Sequence, residues 1–351
     1  MSAKLVLEDG TILFGTAFGA TKSTFGEVVF NTGMVGYPET LTDPSYTGQI
    51  LVLTYPLVGN YGIAERSFED NMHRFFESEK IHLSGLVVSE LSHKYSHWNA
   101  EISLDAWLQE QNVPGIYGID TRLLTQKLRT RGAMLGKLIM REEYLDFFDP
   151  NSENLVAKAS RKVPQTFGKG KKKVVVIDCG CKNNIIRSLI SRGVETQVVP
   201  WNWPVEKEEF DGVLISNGPG DPIQAEKTVQ TVRELFDAGK PILGICMGNQ
   251  ILSLAAGART YKLKYGHRSQ NQPCIQVGSK RCYITSQNHG YAVDENTLPP
   301  EWSPWFFNAN DGTNEGIRHN SKPFMSVQFH PEATPGPVDT NFIFDDFVQM
   351  L

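Results

Sequence analysis

Cysteine, histidine and glutamate can supply a thiol nucleophile, a proton shuttle and an orienting carboxylate, and the sequence carries each in a distinctive setting. Cys246 stands between two glycines in Pro241-Ile242-Leu243-Gly244-Ile245-Cys246-Met247-Gly248-Asn249-Gln250, where an apolar run stops and a helix-forming segment begins. This pattern predicts a nucleophile elbow, in which Gly244 and Gly248 relieve crowding at a sharp strand-to-helix turn and the sulfur points outward. Unpaired N–H groups and the dipole of the following helix favour a thiolate, and the same N–H groups can hold an oxyanion. The alternative for the decapeptide alone is a buried core cysteine. Near the C-terminus, a strand pattern from Phe324 to Phe329 runs directly into His330-Pro331-Glu332. His330 can act as base and acid for Cys246 while Glu332 orients the imidazole. Taken alone, the tripeptide reads as a surface turn; beside the elbow, the triad reading takes over.

These groups need a scaffold that brings distant segments to one edge, and the second half of the chain has the signs of one. Val174-Val175-Val176-Ile177-Asp178 is too continuously apolar to be half exposed and predicts a parallel strand covered on both faces. A helix follows from about Asn183 to Arg192, then strands 195–199 and 212–216, a helix from about Ala225 to Ala238, and the strand that delivers Cys246. Asn217-Gly218-Pro219-Gly220-Asp221-Pro222 is either a loop whose glycines let backbone N–H groups approach a ligand or simply a tight strand exit. In an open parallel sheet the C-terminal strand ends form the ligand crevice, which would place this loop and Cys246 on one edge. A closing helix is expected over 341–351.

The first half, from Lys4 to about Ile139, has short β-type runs at 5–7, 12–14, 28–31, 50–55 and 86–88, separated by Gly, Pro, Asn and Asp turns. Helices are expected over 104–110 and from a cap at Asp120 or Thr121 to Gly132. His93 and His97 lie four apart within a polar loop pattern, which argues against a metal role, and no metal site is expected. The predicted division is a β-rich α+β domain over 1–150, a basic solvated linker over 151–172, and an α/β domain with a doubly wound, mostly parallel sheet over 173–351. The 351 residues carry a formal net charge of −5, which offers no basic footprint for nucleic acid. No stretch is long enough to span a membrane, and five scattered cysteines do not make a disulfide framework, so a cytoplasmic setting is expected.

With Gly244-Ile245-Cys246-Met247-Gly248, the Asn217 to Pro222 loop and His330-Pro331-Glu332 on one α/β domain, the chain resembles the class I (triad) glutamine amidotransferases. Gly26 to Tyr37, Leu41 to Tyr46 and Asp178 to Asn183 are similar to the small, glutamine-hydrolysing subunit of carbamoyl-phosphate synthase. Asn308 to Gly316 resembles the eukaryotic branch, where this unit often begins a longer fused polypeptide. The resemblance implies hydrolysis of L-glutamine to glutamate and ammonia through a Cys246 thioester. The ammonia would pass through a tunnel to a large synthetase subunit or fused domain. No cofactor is implied for this chain, because ATP, bicarbonate and magnesium belong to the synthetase and no G-x-x-x-x-G-K-[ST] loop is present. The resemblance further implies an oxyanion hole from the N–H groups of Gly218 and Met247, and glutamine contacts from Ser45, Gly220, Gln250, Asn288, Gly290 and Tyr291. The alternative is a weakly active or inactive amidotransferase-like domain supporting an ammonia-dependent synthetase. The family elbow usually continues Gly-His-Gln, whereas Asn249 stands here in place of that histidine. Three positions after Cys246, it is expected to face the crevice or its rim. If His330 were not the base, His289 is the next candidate.

Overall fold

A computed structural model describes residues 2–140 and 144–351 and divides the chain into two compact units, Met1–Glu153 and Asn154–Leu351. In the first unit, β1 (Ser2–Leu7), β2 (Ile12–Gly19), β3 (Thr24–Asn31), β4 (Gln49–Leu53), β5 (Gly85–Val87), β6 (Pro114–Tyr117) and β7 (Met134–Ile139) close into a barrel of order β1-β7-β3-β4-β5-β6-β2. The expected helices are both present. In α1 (Leu104–Glu110), Leu104, Trp107 and Leu108 join the core that contains Phe18 and Leu86. In α2 (Thr121–Arg131), Asp120 Oδ1 accepts from Leu123 N at 2.8 Å and Gly132, with φ 109°, ends the helix. His93 and His97 are exposed and lie edge-on to Tyr117 and Tyr61. Ser45 sits in a buried 3-10 turn, Pro44–Tyr46, where its N–H donates to Asp43 Oδ1 at 2.9 Å.

The second unit does not begin with a linker. Residues 151–172, expected to be a solvated connection, contain α3 (Leu155–Ala159) and β8 (Gln165–Phe167), and β8 pairs antiparallel with β10 (Val194–Pro200). The physical reason is Arg161, whose backbone N–H and Nε donate to Asp178 Oδ2 at 3.0 and 2.9 Å. One cation of the presumed charge run is therefore the partner of a buried carboxylate, which ties the segment down.

The rest of the sheet comprises β9 (Lys172–Asp178), β11 (Gly212–Ile215), β12 (Ile242–Ile245), β13 (Arg259–Gln276), β14 (Cys282–Asp294), β15 (Trp302–Asn308), β16 (Asn314–His319) and β17 (Phe324–Val327), in the order β8-β10-β9-β11-β12-β17-β16-β15-β13-β14. The expected parallel strands run side by side from β10 to β17, and an antiparallel wing continues the sheet beyond them. The helices α4 (Asn183–Ile190), α5 (Glu226–Ala238), α6 (Met247–Ala256) and α7 (Phe342–Met350) complete the unit. Val175, Ile177, Val213 and Ile215 pack with Val232, Leu235, Ile251 and Leu252 in one apolar cluster, which removes the central strands and two helices from water together. Among the described residues, no helix is long and apolar enough to cross a membrane.

Candidate active site

The C-terminal ends of β9, β11, β12 and β17 lie along one edge of the parallel sheet, and the chemistry gathers there. Cys246 follows β12 with φ 55° and ψ −103°, a conformation that a non-glycine residue adopts only when its surroundings enforce it. The flanking glycines show how. A Cβ at Gly244 would lie 2.4 Å from Gly248 O, and one at Gly248 would lie 2.1 Å from Ile215 O, so only glycine lets α6 approach β11 and β12 this closely. Cys246 N donates to Val327 O at 2.8 Å, and its buried Sγ faces Asn288 O at 3.7 Å.

Three residues beyond β17, His330 is fixed through its backbone N–H to Ser286 O at 2.9 Å and through Nδ1 to Glu332 Oε1 at 2.6 Å. Burial opposes a charge on this imidazole, but Glu332 and the Cys246 sulfur outweigh it and push His330 up to about 10. Its Nε2 closes no hydrogen bond in the resting geometry, yet the Cys246 side chain acts on the ring. The structure therefore brings Cys246, His330 and Glu332 together.

Lys182 is the residue that sequence reasoning missed. Asp178 Oδ1, at the end of β9, accepts from the N–H groups of Gly180 and Cys181 at 2.8 and 2.7 Å, and the resulting turn delivers Lys182 to the start of α4. Its buried Nζ donates to Glu332 Oε1 at 3.0 Å and to Ala333 O at 2.5 Å. Full burial would raise Glu332, but Lys182 and His330 reverse this and hold it at about 2. Asn184 Nδ2 donates to Glu332 O and, at 2.8 Å, to Thr334 Oγ1, bracing a turn in which Ala333 and Thr334 both have positive φ. The available signal was positional: Lys182 follows the first parallel strand at its ligand-facing end.

The other predicted residues take distinct places. Gly218 and Gly220 follow β11; Gly218 abuts Cys179 O, and the loop is tied to the Lys182 turn by Lys182 N donating to Asn217 Oδ1 at 3.1 Å. Met247 opens α6. Asn288, Gly290 and Tyr291 lie on β14, with Asn288 O against the sulfur and Tyr291 O accepting from Gln250 Nε2 at 2.9 Å. Ser45 belongs to the first unit. Asn249 departs from expectation. It is fully buried and faces β17, not the crevice: Nδ2 donates to Gln328 Oε1 at 3.1 Å and Oδ1 accepts from Ser326 Oγ at 2.8 Å. Its helix face is the one that packs on the sheet. His289 has its Nδ1 against Tyr291 O at 2.8 Å and its Nε2 against Gln287 Oε1 at 3.1 Å, so neither nitrogen is turned to the thiol.

Comparison with known proteins matches residues 175–350 to the family described as "Glutamine amidotransferase class-I" and residues 5–138 to "Carbamoyl-phosphate synthase small chain, CPSase domain". The chain is 51% identical over 355 residues to "Carbamoyl-phosphate synthase (ammonia), mitochondrial" of Homo sapiens, covering 100% of this chain and 24% of that protein. It is 52% identical to "Multifunctional protein CAD" of Squalus acanthias, covering 99% of this chain and 16% of that one. Against "Multifunctional protein URA2" of Saccharomyces cerevisiae the identity is 50%, with 99% and 17% covered. The chain thus spans about a quarter or less of the length of these relatives.

Proposed function

The chain belongs to the class-I glutamine amidotransferases, with a carbamoyl-phosphate synthase small-chain domain ahead of that module, and from this we propose that it is the glutamine-hydrolysing component of a carbamoyl-phosphate synthase. The Cys246 thiolate attacks the side-chain amide carbon of L-glutamine. The oxyanion that forms is held by the N–H groups of Gly218 and Met247, the latter lying in the first helical turn, where no intrahelical acceptor exists. His330 Nε2 gives its proton to the departing nitrogen, so ammonia leaves and a glutamyl thioester remains. The same nitrogen then takes a proton from water, whose oxygen attacks the thioester, and glutamate is released with the thiol restored. Glu332 keeps the imidazole oriented, and Lys182 keeps Glu332 ionised. Gly220, Gln250, Asn288, Gly290 and Tyr291 line the glutamine position. Ammonia passes to a synthetase subunit or fused domain, where ATP, bicarbonate and magnesium would be used. The five free thiols favour a reducing compartment such as the cytosol.

The observation that carries this reading is the buried series Cys246, His330, Glu332, Lys182. The human relative, a carbamoyl-phosphate synthase qualified by ammonia in its name, favours a second reading, in which the chain supports a synthetase fed with free ammonia. Glutaminase activity of the chain, alone and with a co-expressed synthetase, separates the two. Cys246→Ser is expected to abolish glutamine-dependent carbamoyl phosphate synthesis while leaving synthesis from ammonia. A wild-type chain without glutaminase activity under both conditions would establish the second reading.

A further inference from the structure

We propose that His267, His289 and Glu315 form a divalent-metal site of the zinc class within the antiparallel wing, separate from the catalytic series. His267 on β13 and His289 on β14 are direct cross-strand partners, and Glu315 lies on β16. All three are buried, and one ligand atom from each lies within 4.8 Å of the other two.

The outer partners decide which atoms face inward. Asp311 Oδ2 lies 2.8 Å from His267 Nε2, and Tyr291 O lies 2.8 Å from His289 Nδ1. Both oxygens only accept, so those nitrogens carry protons; His289 Nε2 then presents a lone pair to the interior, and His267 Nδ1 does so when a cation displaces the proton it shares with Glu315. There they meet Gln287 Oε1, at 2.9 and 3.1 Å, and His267 Nδ1 lies 3.3 Å from Glu315 Oε1. Glu315 Oε2 is buried with no hydrogen-bond partner. Rotating the Gln287 amide would offer donors, but its Nε2 is already engaged with Thr285 Oγ1 at 3.1 Å.

Once His267 Nδ1 gives up its proton, His267 Nδ1, His289 Nε2, Gln287 Oε1 and Glu315 converge as acceptors, with Asn308 Nδ2 the donor at their edge. A cation is the group that satisfies such a set, and imidazole with carboxylate and amide oxygen suits zinc better than calcium or magnesium. With bonds of ~2.1 Å a tetrahedral edge is about 3.4 Å, so a separation of 4.8 Å must close by about 1.4 Å. Asp311, Tyr291 O and Asn308, whose Nδ2 donates to Glu315 Oε1 at 3.2 Å, supply the outer partners that metal ligands need. Asp311 and Glu315 offset the ion's charge against Arg268, whose Nη1 is held by Tyr265 O at 2.7 Å, and against His330. Because His289 adjoins Asn288, the ion would clamp the strand that faces the nucleophile.

The test titrates Co2+ into chelator-treated Cys246→Ser chain, a background that removes the competing thiolate. The expected result is a single equivalent bound, with d–d absorption of a four- or five-coordinate ion and no sulfur charge-transfer band, and a raised Tm when Zn2+ replaces Co2+. Glu315→Gln and His267→Asn should abolish binding with an unchanged circular-dichroism spectrum, and Asp311→Asn should weaken it by about 10–100-fold. Asp311 is partly exposed, so its variant keeps the test decisive if the buried variants fail to fold. Absence of stoichiometric Co2+ in the parent overturns the proposal and leaves a proton-bridged network with His267 as imidazolium. Undiminished binding in Asp311→Asn and Glu315→Gln overturns it as well.

Discussion

Replacing Lys182 with methionine removes a cation that holds Glu332 in its ionised form and leaves a buried carboxylate facing His330 alone. Breaking one side of a buried pair costs about 3–5 kcal/mol, so the variant should unfold at lower denaturant. Its glutaminase pH profile should also lose activity at a higher pH than the parent on the acid side, because Glu332 becomes easier to protonate. An acid limb that coincides with the parent's would show that Lys182 does not act through Glu332. Asn249→Ala belongs to the same scale but acts on packing, since it strands Ser326 Oγ and leaves Gln328 Oε1 with Gln250 Nε2 alone, at 3.2 Å; an unmade buried hydrogen bond costs about 1–3 kcal/mol. Thermal unfolding should show the loss, with any residual glutaminase still dependent on Cys246. At this scale the sequence disclosed Cys246, His330 and Glu332 because each stands in a short motif. Lys182 and His267 escaped because nothing beside them announces their partners, which lie 150 and 44 residues away.

The elbow is a property of two elements meeting, and Gly248 is where they touch. In Gly248→Ala the new methyl would meet Ile215 O, a backbone atom that cannot rotate aside, so α6 must move off β11. We expect a stability loss of roughly 1–3 kcal/mol and a much larger loss of kcat, because the helix carries the Met247 N–H and sets the direction of the sulfur. Steady-state kinetics beside thermal melts would reveal a purely structural effect as equal losses in both. The parallel strands and most helices were legible, since continuous apolar runs and glycine stops have few other interpretations. The wing was not: the pairing of β13 with β14 shifts register twice, which breaks the alternation that identifies a half-buried strand. Arg161 shows the complementary failure, a charge that read as solvated because its carboxylate partner could not be placed without the fold.

Across the whole molecule, the ionised site couples folding to pH. His330 rises from 6.5 to about 10 on folding, so its contribution is complete below 6.5 and disappears as the pH climbs through about 10. Glu332 falls from 4.5 to about 2, so its contribution is present above 4.5 and is lost as the pH drops toward 2. The Tm should therefore decline between pH 6.5 and 10, and His330→Asn should remove part of that decline; parallel Tm curves for parent and variant would refute the link. The single hydrogen bond from Cys246 N to Val327 O also has a consequence for how the site can vary. It makes the sheet a ruler, with Ile245 opposite Val327 and a one-residue slip worth about 3.3 Å. The gap between nucleophile and base is thus gauged by the main chain, so a version with serine at 246 keeps the spacing of a working enzyme and needs only its sulfur returned.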